Sequence, residues 1–484
     1  MALALTRFTT LLLLVPAAHA WAPVVTPSNP IGTPWTKDVT PTQSALYPRP
    51  QLVRPPWSWQ SLNGLWQIDY EVGHLRYYIT LSFTAYTRQY GLYVRLSHSS
   101  HTLTNIHTLH SNQAGENDAP PVGKTLPHEI LVPYPLESSL SGIRTVAPNN
   151  TMFYRRVFMN GSLLPACTGR RVLHIERSDW NTTVFANGKE ICNHVGGYDP
   201  FTCSLPARAA FFDLELIVRV YDATEQNPNH WQLYGKQQRA AFTDGPSGFM
   251  YTSTSGIWDT IWAECLPAKA AIRDLHLKPD VDGNAVFIDA DIDSGTGTGS
   301  GSDDSGASTS ILQVTIQDAT GATVATATSA AGATSIKVPM PPKPHLWSPP
   351  SPYLYNATVQ LLPAKQGGAN GNGDAALDVV VAYFGMRKIH VSATTAAGGT
   401  HGDAAKYARI QLNNKPFYQI GTLDQGWFPD GTSFLCSFTS RIHLLRFNPR
   451  LLPLYSLSFA HSLYSITFSL FTFSSTNSYP SFTL

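Results

Sequence analysis

The sequence predicts a mainly β chain built from sandwiches, and three observations predict it. Asn187-Gly188 sits between two apolar alternations, the strongest short-range signal for a β-hairpin. Short apolar runs recur between turn residues along the chain, and no long amphipathic helical pattern interrupts them. Only 13% of the 484 residues are charged, whereas Gly (35), Pro (36), Tyr (21) and Trp (11) are plentiful. That composition suits short strands and turns better than helical bundles.

In chain order, the first segment reads as a leader. Arg7 precedes the apolar run from Leu11 to Val15, and Ala18-His19-Ala20 has the small-x-small pattern of a cleavage site. Residues 1–20 are therefore expected to be a signal peptide, which implies a secreted or extracellular location. Strands are expected at Val172-Leu173-His174-Ile175 and at Thr183-Val184-Phe185, the latter closing on Asn187-Gly188. More are expected over 214–221, 256–264, 286–292, 311–316, 354–361 and 377–384, a spacing that suits β-sandwiches. Residues 294–310 and 367–376 are nearly all small or polar. They cannot bury enough apolar area to offset chain entropy, so they read as loops between strands.

Two blocks stand apart. Residues 72–115 and 433–484 contain no Asp or Glu, and both read as text foreign to their surroundings, such as translated non-coding sequence. Residues 451–473 carry no charge apart from His461 and are long enough to cross a bilayer of about 30 Å. Pro453 and the many serines argue against a membrane anchor there.

The length allows about two to four domains. With 33 basic and 32 acidic residues the net charge is +1, which leaves nothing to attract a polyanion, so nucleic acid is excluded as a partner. The five cysteines form no CxxC pair. Cys192 and Cys203 either bridge neighbouring strands or are buried thiols, and the odd count leaves at least one thiol over. His101, His107 and His110 lie in one block without a carboxylate or Cys partner, so no metal site is expected. Gly123-Lys124-Thr125 lacks the leading Gly of a P-loop, because Asp118 stands there, and no G-x-S-x-G occurs. No cofactor is expected. Asn149, Asn160, Asn181 and Asn356 head Asn-x-Ser/Thr sequons.

Seven segments follow one another in a telling order. Tyr47-Pro48-Arg49-Pro50-Gln51-Leu52-Val53-Arg54-Pro55 leads to Ser61-Leu62-Asn63-Gly64-Leu65-Trp66, and then to Ile130-Leu131-Val132-Pro133-Tyr134-Pro135-Leu136-Glu137-Ser138-Ser139-Leu140-Ser141-Gly142. Phe153-Tyr154-Arg155-Arg156-Val157-Phe158, Asp179-Trp180-Asn181-Thr182-Thr183-Val184-Phe185-Ala186-Asn187-Gly188 and His194-Val195-Gly196-Gly197-Tyr198-Asp199-Pro200-Phe201 come next, and Thr254-Ser255-Gly256-Ile257-Trp258 completes the series. Together they resemble the opening of glycoside hydrolase family 2. The resemblance implies a sugar-binding-like jelly-roll sandwich over 21–267, with Gly196-Gly197 permitting a turn before Tyr198. It also implies that Trp66, Trp180 and Trp258 are core or sheet-covering aromatics. In the β-galactosidase branch an acid stands six positions before the Gly of the "SGI" motif, but here that residue is Met250, so galactose specificity does not carry over.

Leu346-Trp347-Ser348-Pro349, Ser351-Pro352-Tyr353-Leu354-Tyr355 and Tyr383-Phe384-Gly385-Met386-Arg387-Lys388-Ile389 resemble the family's immunoglobulin-like sandwich, placed over 268–393. The run from Ile410 to Gly421 looks like the hairpin that leads into the family's (β/α)8 barrel, and 405–432 would be its start. By this resemblance the intact enzyme is a retaining β-glycosidase acting on carbohydrate with two Glu carboxyls about 5 Å apart. Those residues belong to later barrel strands, so none of this chain's residues is assigned a catalytic role and the chain is expected to be inactive. Asp424, Gln425 and Trp427 are the candidates for substrate binding. A non-catalytic carbohydrate-binding or scaffold protein is the alternative.

Overall fold

A computed structural model describes residues 21–24, 36–42, 47–71, 118–147, 150–207, 212–224, 232–239, 250–293, 310–364, 375–395 and 406–419. The leader, the 72–115 block, most of both low-complexity segments and everything from 420 onward, including Asp424, Gln425 and Trp427, lie outside the described residues.

The first module is the expected jelly-roll sandwich. One sheet orders β1 (Trp59–Ser61), β14 (Ile261–Leu266), β5 (Arg170–Ile175) and β9 (Phe201–Ser204). The other orders β3 (His128–Val132), β2 (Gly64–Asp69), β4 (Thr151–Phe158), β10 (Leu214–Tyr221), β7 (Asn181–Ala186) and β8 (Lys189–Val195). Trp66, Ile130, Tyr154, Leu216, Val218 and Ile261 form the core between them, each at most 1% exposed. Full burial of such a side chain contributes about 1.5–3 kcal/mol. The predicted hairpin is β7–β8: Asn187 and Gly188 both take positive φ (48° and 79°), the geometry that two-residue hairpin turns demand. The 256–264 run is split into β13 (Gly256–Ile257) and β14, with β13 pairing to β6 (Ser178–Asp179).

β10 departs from simple alternation, since all but its last residue are buried. Its second face carries Glu215, Ile217 and Arg219. There Ile217 packs with Leu126, Phe153 and Phe185, Glu215 accepts from Arg155 Nε at 2.6 Å, and Arg219 donates to the Asp118 carbonyl at 2.9 Å. The 118–126 segment thus covers the sheet from outside. Two disulfides join Cys167 to Cys265 and Cys192 to Cys203, which settles the open reading of Cys192 and Cys203 in favour of a bridge.

The second module is the immunoglobulin-like sandwich. β15 (Ala271–Asp280), β16 (Ala285–Asp293) and β19 (Ser335–Pro339) face β18 (Thr323–Thr328), β17 (Ser310–Gln317), β20 (Tyr355–Pro363) and β21 (Asp378–Phe384). Here period-two patterning is clean: β17 alternates buried and half-buried residues along its whole length. Leu52, from the chain's beginning, is buried in this second core beside Ile272, Val314 and Val380. The two family-like signatures meet: Trp347 N donates to the Met386 carbonyl at 2.9 Å, and the Arg387 guanidinium lies 4.6 Å over the Trp347 ring.

The immunoglobulin-like sheets end with β21. β22 (Ile389–Thr395), which begins inside the 268–393 stretch, pairs instead with β23 (Lys406–Leu412), and β24 (Lys415–Pro416) completes this third sheet. No barrel closes among the described residues.

Candidate functional site

One end of the jelly roll gathers the polar and aromatic side chains that the fold leaves for function. Two short pairings build it: β6 with β13, and β11 (Gln237–Gln238) with β12 (Tyr251–Thr252). Asp179 ends β6, and Gly197 packs so closely against it that a Cβ there would lie 2.8 Å from the carboxyl carbon. Gly256, at φ +85°, likewise has no room for a Cβ beside the Tyr154 hydroxyl. The glycines of both motifs are therefore explained by close approach.

Beneath this corner lies a cluster of buried carboxyl groups. Asp222 accepts from the Ser255 hydroxyl at 2.6 Å, from Gln232 Nε2 at 2.7 Å and from the Thr224 hydroxyl at 2.7 Å. Glu137 accepts from the Ser253 hydroxyl and the Ser255 amide, each at 3.0 Å. Asp179 Oδ2 accepts from Gln237 Nε2 at 2.9 Å, whereas its Oδ1 has no partner. Burial pushes the Glu137 carboxyl up to about 7. Burial first, and then the neighbouring Asp222, push Asp179 up to about 8. Both hold protons at neutral pH far more readily than free carboxylates do.

Above the cluster, Trp258 is buried, and its indole N–H donates to the Gly197 carbonyl at 2.9 Å. Arg177 lies 5.3 Å over that ring and pairs with Asp259. Tyr198 meets Trp258 edge-on at 5.6 Å and is 61% exposed. Of the three tryptophans expected to be structural, Trp66 and Trp258 are buried and Trp180 is half-buried. Tyr198 is the more exposed of the rings this corner presents to solvent, Tyr251 on β12 being 43% exposed.

A second polar cluster sits where the two sandwiches meet. Arg54, 3% exposed, donates to Glu264 Oε1 at 2.7 Å and to Asp378 Oδ2 at 2.6 Å. Its Nη2 also donates to the Ile272 carbonyl at 2.5 Å. Glu264 belongs to β14 of the first sandwich and Asp378 to β21 of the second. The Tyr47 hydroxyl donates to Glu264 at 2.8 Å, and His174 Nε2 lies 3.1 Å from its other oxygen. Burial alone would raise Glu264, but the His174 hydrogen bond and the Arg54 charge outweigh it and hold the carboxyl at about 2.

Sequence reasoning singled out neither cluster. Glu137 and Asp179 lie inside quoted motifs without a role. Asp222, Gln232 and Gln237 give no local signal, and the partners of Arg54 stand 210 and 324 residues away. Among the described residues no group of three or more His, Cys, Asp or Glu side chains is placed to hold a metal ion. No helix there is long and apolar enough to cross a membrane.

The profile of glycosyl hydrolases family 2 matches residues 270–387, the span of the second sandwich. The β-glucuronidase of Lactobacillus rhamnosus is 19% identical with a TM-score of 0.51, over 80% of this chain and 52% of its own. That of Ruminococcus gnavus is 17% identical with a TM-score of 0.50, over 83% of this chain and 53% of its own. The chain thus spans about half the length of the solved structures it matches, and at these identities the likeness is one of fold. No curated protein sequence matches the chain. Residues 270–387 thus match the model of glycosyl hydrolases family 2, and the chain that carries them shares its fold with about half the length of solved β-glucuronidases.

Proposed function

We propose that this chain is the two-sandwich portion of a retaining β-glycosidase of carbohydrate metabolism, and that as given it does not itself cleave glycosides. The observation that carries the reading is the family match over 270–387, contiguous with a jelly roll in the fold of β-glucuronidases. Glycoside cleavage needs two carboxyl groups flanking the scissile bond at an open site. The clustered carboxyls described above point the other way: Glu137, Asp179 and Asp222 are each at most 7% exposed, and Glu264 is spent on Arg54 and His174.

Secretion accompanies this proposal. The leader-like residues 1–20 and two disulfides within one sandwich support it, because such bridges persist in oxidising compartments. Asp424, Gln425 and Trp427 remain the proposed substrate contacts of the intact enzyme. The test is incubation of the purified full chain with fluorogenic β-glucuronide, β-galactoside and β-mannoside, the first being the natural choice given the matched structures. No turnover is expected; turnover that co-purifies with the chain overturns the proposed inactivity.

The exposed Tyr198 ring, set beside Trp258 and Arg177, favours a second reading, a carbohydrate-binding sandwich. It expects saturable binding of a β-glycoside that Tyr198→Ala abolishes. Flat calorimetric titrations across the same sugars sink it.

A further inference from the structure

We propose that Asn160 is a site of N-linked glycosylation, and that its glycan covers an apolar corner formed by Met159 and Phe212. The sequon Asn160-Gly161-Ser162 occupies the turn that follows β4. Asn160 stands there at φ 50° and ψ 37°, and both it and Ser162 are exposed. The turn is pinned from the backbone, since the Asn160 amide donates to Asp213 Oδ1 at 2.9 Å. The side-chain carboxamide, by contrast, takes part in none of the hydrogen bonds made among the described residues.

The surroundings give the glycan something to do. β4 and β10 pair with Phe158 opposite Leu214, so Met159 and Phe212 flank the sequon on adjoining strand ends. Met159 is 63% exposed, Phe212 72% and Val157, one turn of the pleat away, 37%. These three exposed apolar side chains flank the sequon in sequence and strand pairing, and the apolar faces of the first sugar rings are the cover that a glycan on Asn160 would bring to them.

Asn181 makes the opposite case. It lies within β7, its Oδ1 accepts from Asn193 at 2.8 Å, and the Thr182 and Thr183 that complete its sequon are at most 1% exposed.

In the transfer, the Asn160 side-chain nitrogen, Nδ2, forms a bond to C1 of the first N-acetylhexosamine. The pyrophosphate of a lipid-linked oligosaccharide donor leaves, and the amide proton passes to the transferase. The inference rests on the secretory reading above.

The full chain is expressed in a glycosylating eukaryotic host and recovered from the medium. Peptide mass spectrometry is expected to find the Asn160 peptide glycosylated, with Asn160→Gln and Ser162→Ala each losing one glycan and Ser162→Thr keeping it. Enzymatic deglycosylation of the native protein is expected to raise its binding of an apolar fluorescent dye, and Phe212→Ser to reverse that rise. A secreted, disulfide-bonded chain with an unmodified Asn160 peptide, or with the glycan on Asn181 instead, overturns the proposal. Unchanged dye binding and unchanged self-association on deglycosylation overturn the covering role. A chain that stays in the cell with free thiols at Cys167 and Cys265 fails the secretory reading itself, and is told apart by thiol labelling.

Discussion

Two buried clusters of carboxyl groups in this protein are kept by opposite means. At the junction of the sandwiches, Glu264 and Asp378 both pair with the Arg54 guanidinium, and Glu264 is held at about 2. At the end of the jelly roll built by β6 and β13, Glu137 and Asp179 have no cationic partner among the described residues; serine, glutamine and backbone donors surround them, and burial pushes them up to about 7 and 8. The contrast teaches that burial alone does not set the charge of a carboxyl. The partner decides, because a guanidinium compensates lost hydration and neutral donors do so only in part.

The largest way to break this comparison is to remove the cation. Arg54→Met leaves Glu264 and Asp378 buried without compensation and is expected to cost about 3–5 kcal/mol in urea denaturation. The single transition should also separate into two, one for each sandwich, since Arg54 touches both. A smaller loss tests the covalent side of the same contrast, because both disulfides lie in the jelly roll and none joins the second sandwich. Cys167→Ser with Cys265→Ser is expected to cost about 2–5 kcal/mol and to lower only the first sandwich's transition.

Acid and alkali separate the clusters more finely. A carboxyl raised in the folded state contributes stability that is complete below its unfolded pKa, near 4, and is lost as pH rises through the folded value. Glu137 and Asp179 should therefore make the jelly roll weaken between pH 4 and about 8. Glu264, depressed on folding, contributes stability present above about 4.5 and lost as pH falls through about 2. Asp179→Asn, a neutral stand-in, is expected to gain about 1–3 kcal/mol at pH 8 and nothing at pH 4; thermal melts across that range check it. The smallest effect is the surface control. Arg273→Ala removes an ion pair to Asp291 whose partners are both more than half exposed, and stability should stay within about 0.5 kcal/mol.

How far the sequence could be read follows from the same physics. Strands with local signals were legible: β7–β8 through its Asn-Gly turn, and β10, β17 and β21 through apolar runs or alternation. β18 was not, because Thr323–Thr328 is exposed or half-buried throughout and brings only Val324, Ala325 and Ala327 against the core, with no clean alternation to mark it. β15 was hidden by Pro279 and by charged residues that face outward along it. The candidate site was less legible than the fold. Tyr198 and Trp258 lie in recognisable motifs, but their pairing depends on the turn at Gly196-Gly197 and on β13 reaching β6. The Cys167–Cys265 bridge spans 98 residues, and no spacing rule reaches that far.

Leu52, Val53 and Arg54 belong to the second sandwich although they precede every strand of the first. Leu52 fills its core, Val53 exchanges backbone hydrogen bonds with Val381, and Arg54 neutralises Asp378. A ribosome adding about 5–20 residues per second makes Asp378 on the order of tens of seconds after Arg54, which stands 324 residues earlier. For that interval the nascent jelly roll carries an arginine whose second counter-ion has not yet been made. Birth order along the chain and the order in which the two sandwiches can reach their final form are therefore different things in this protein.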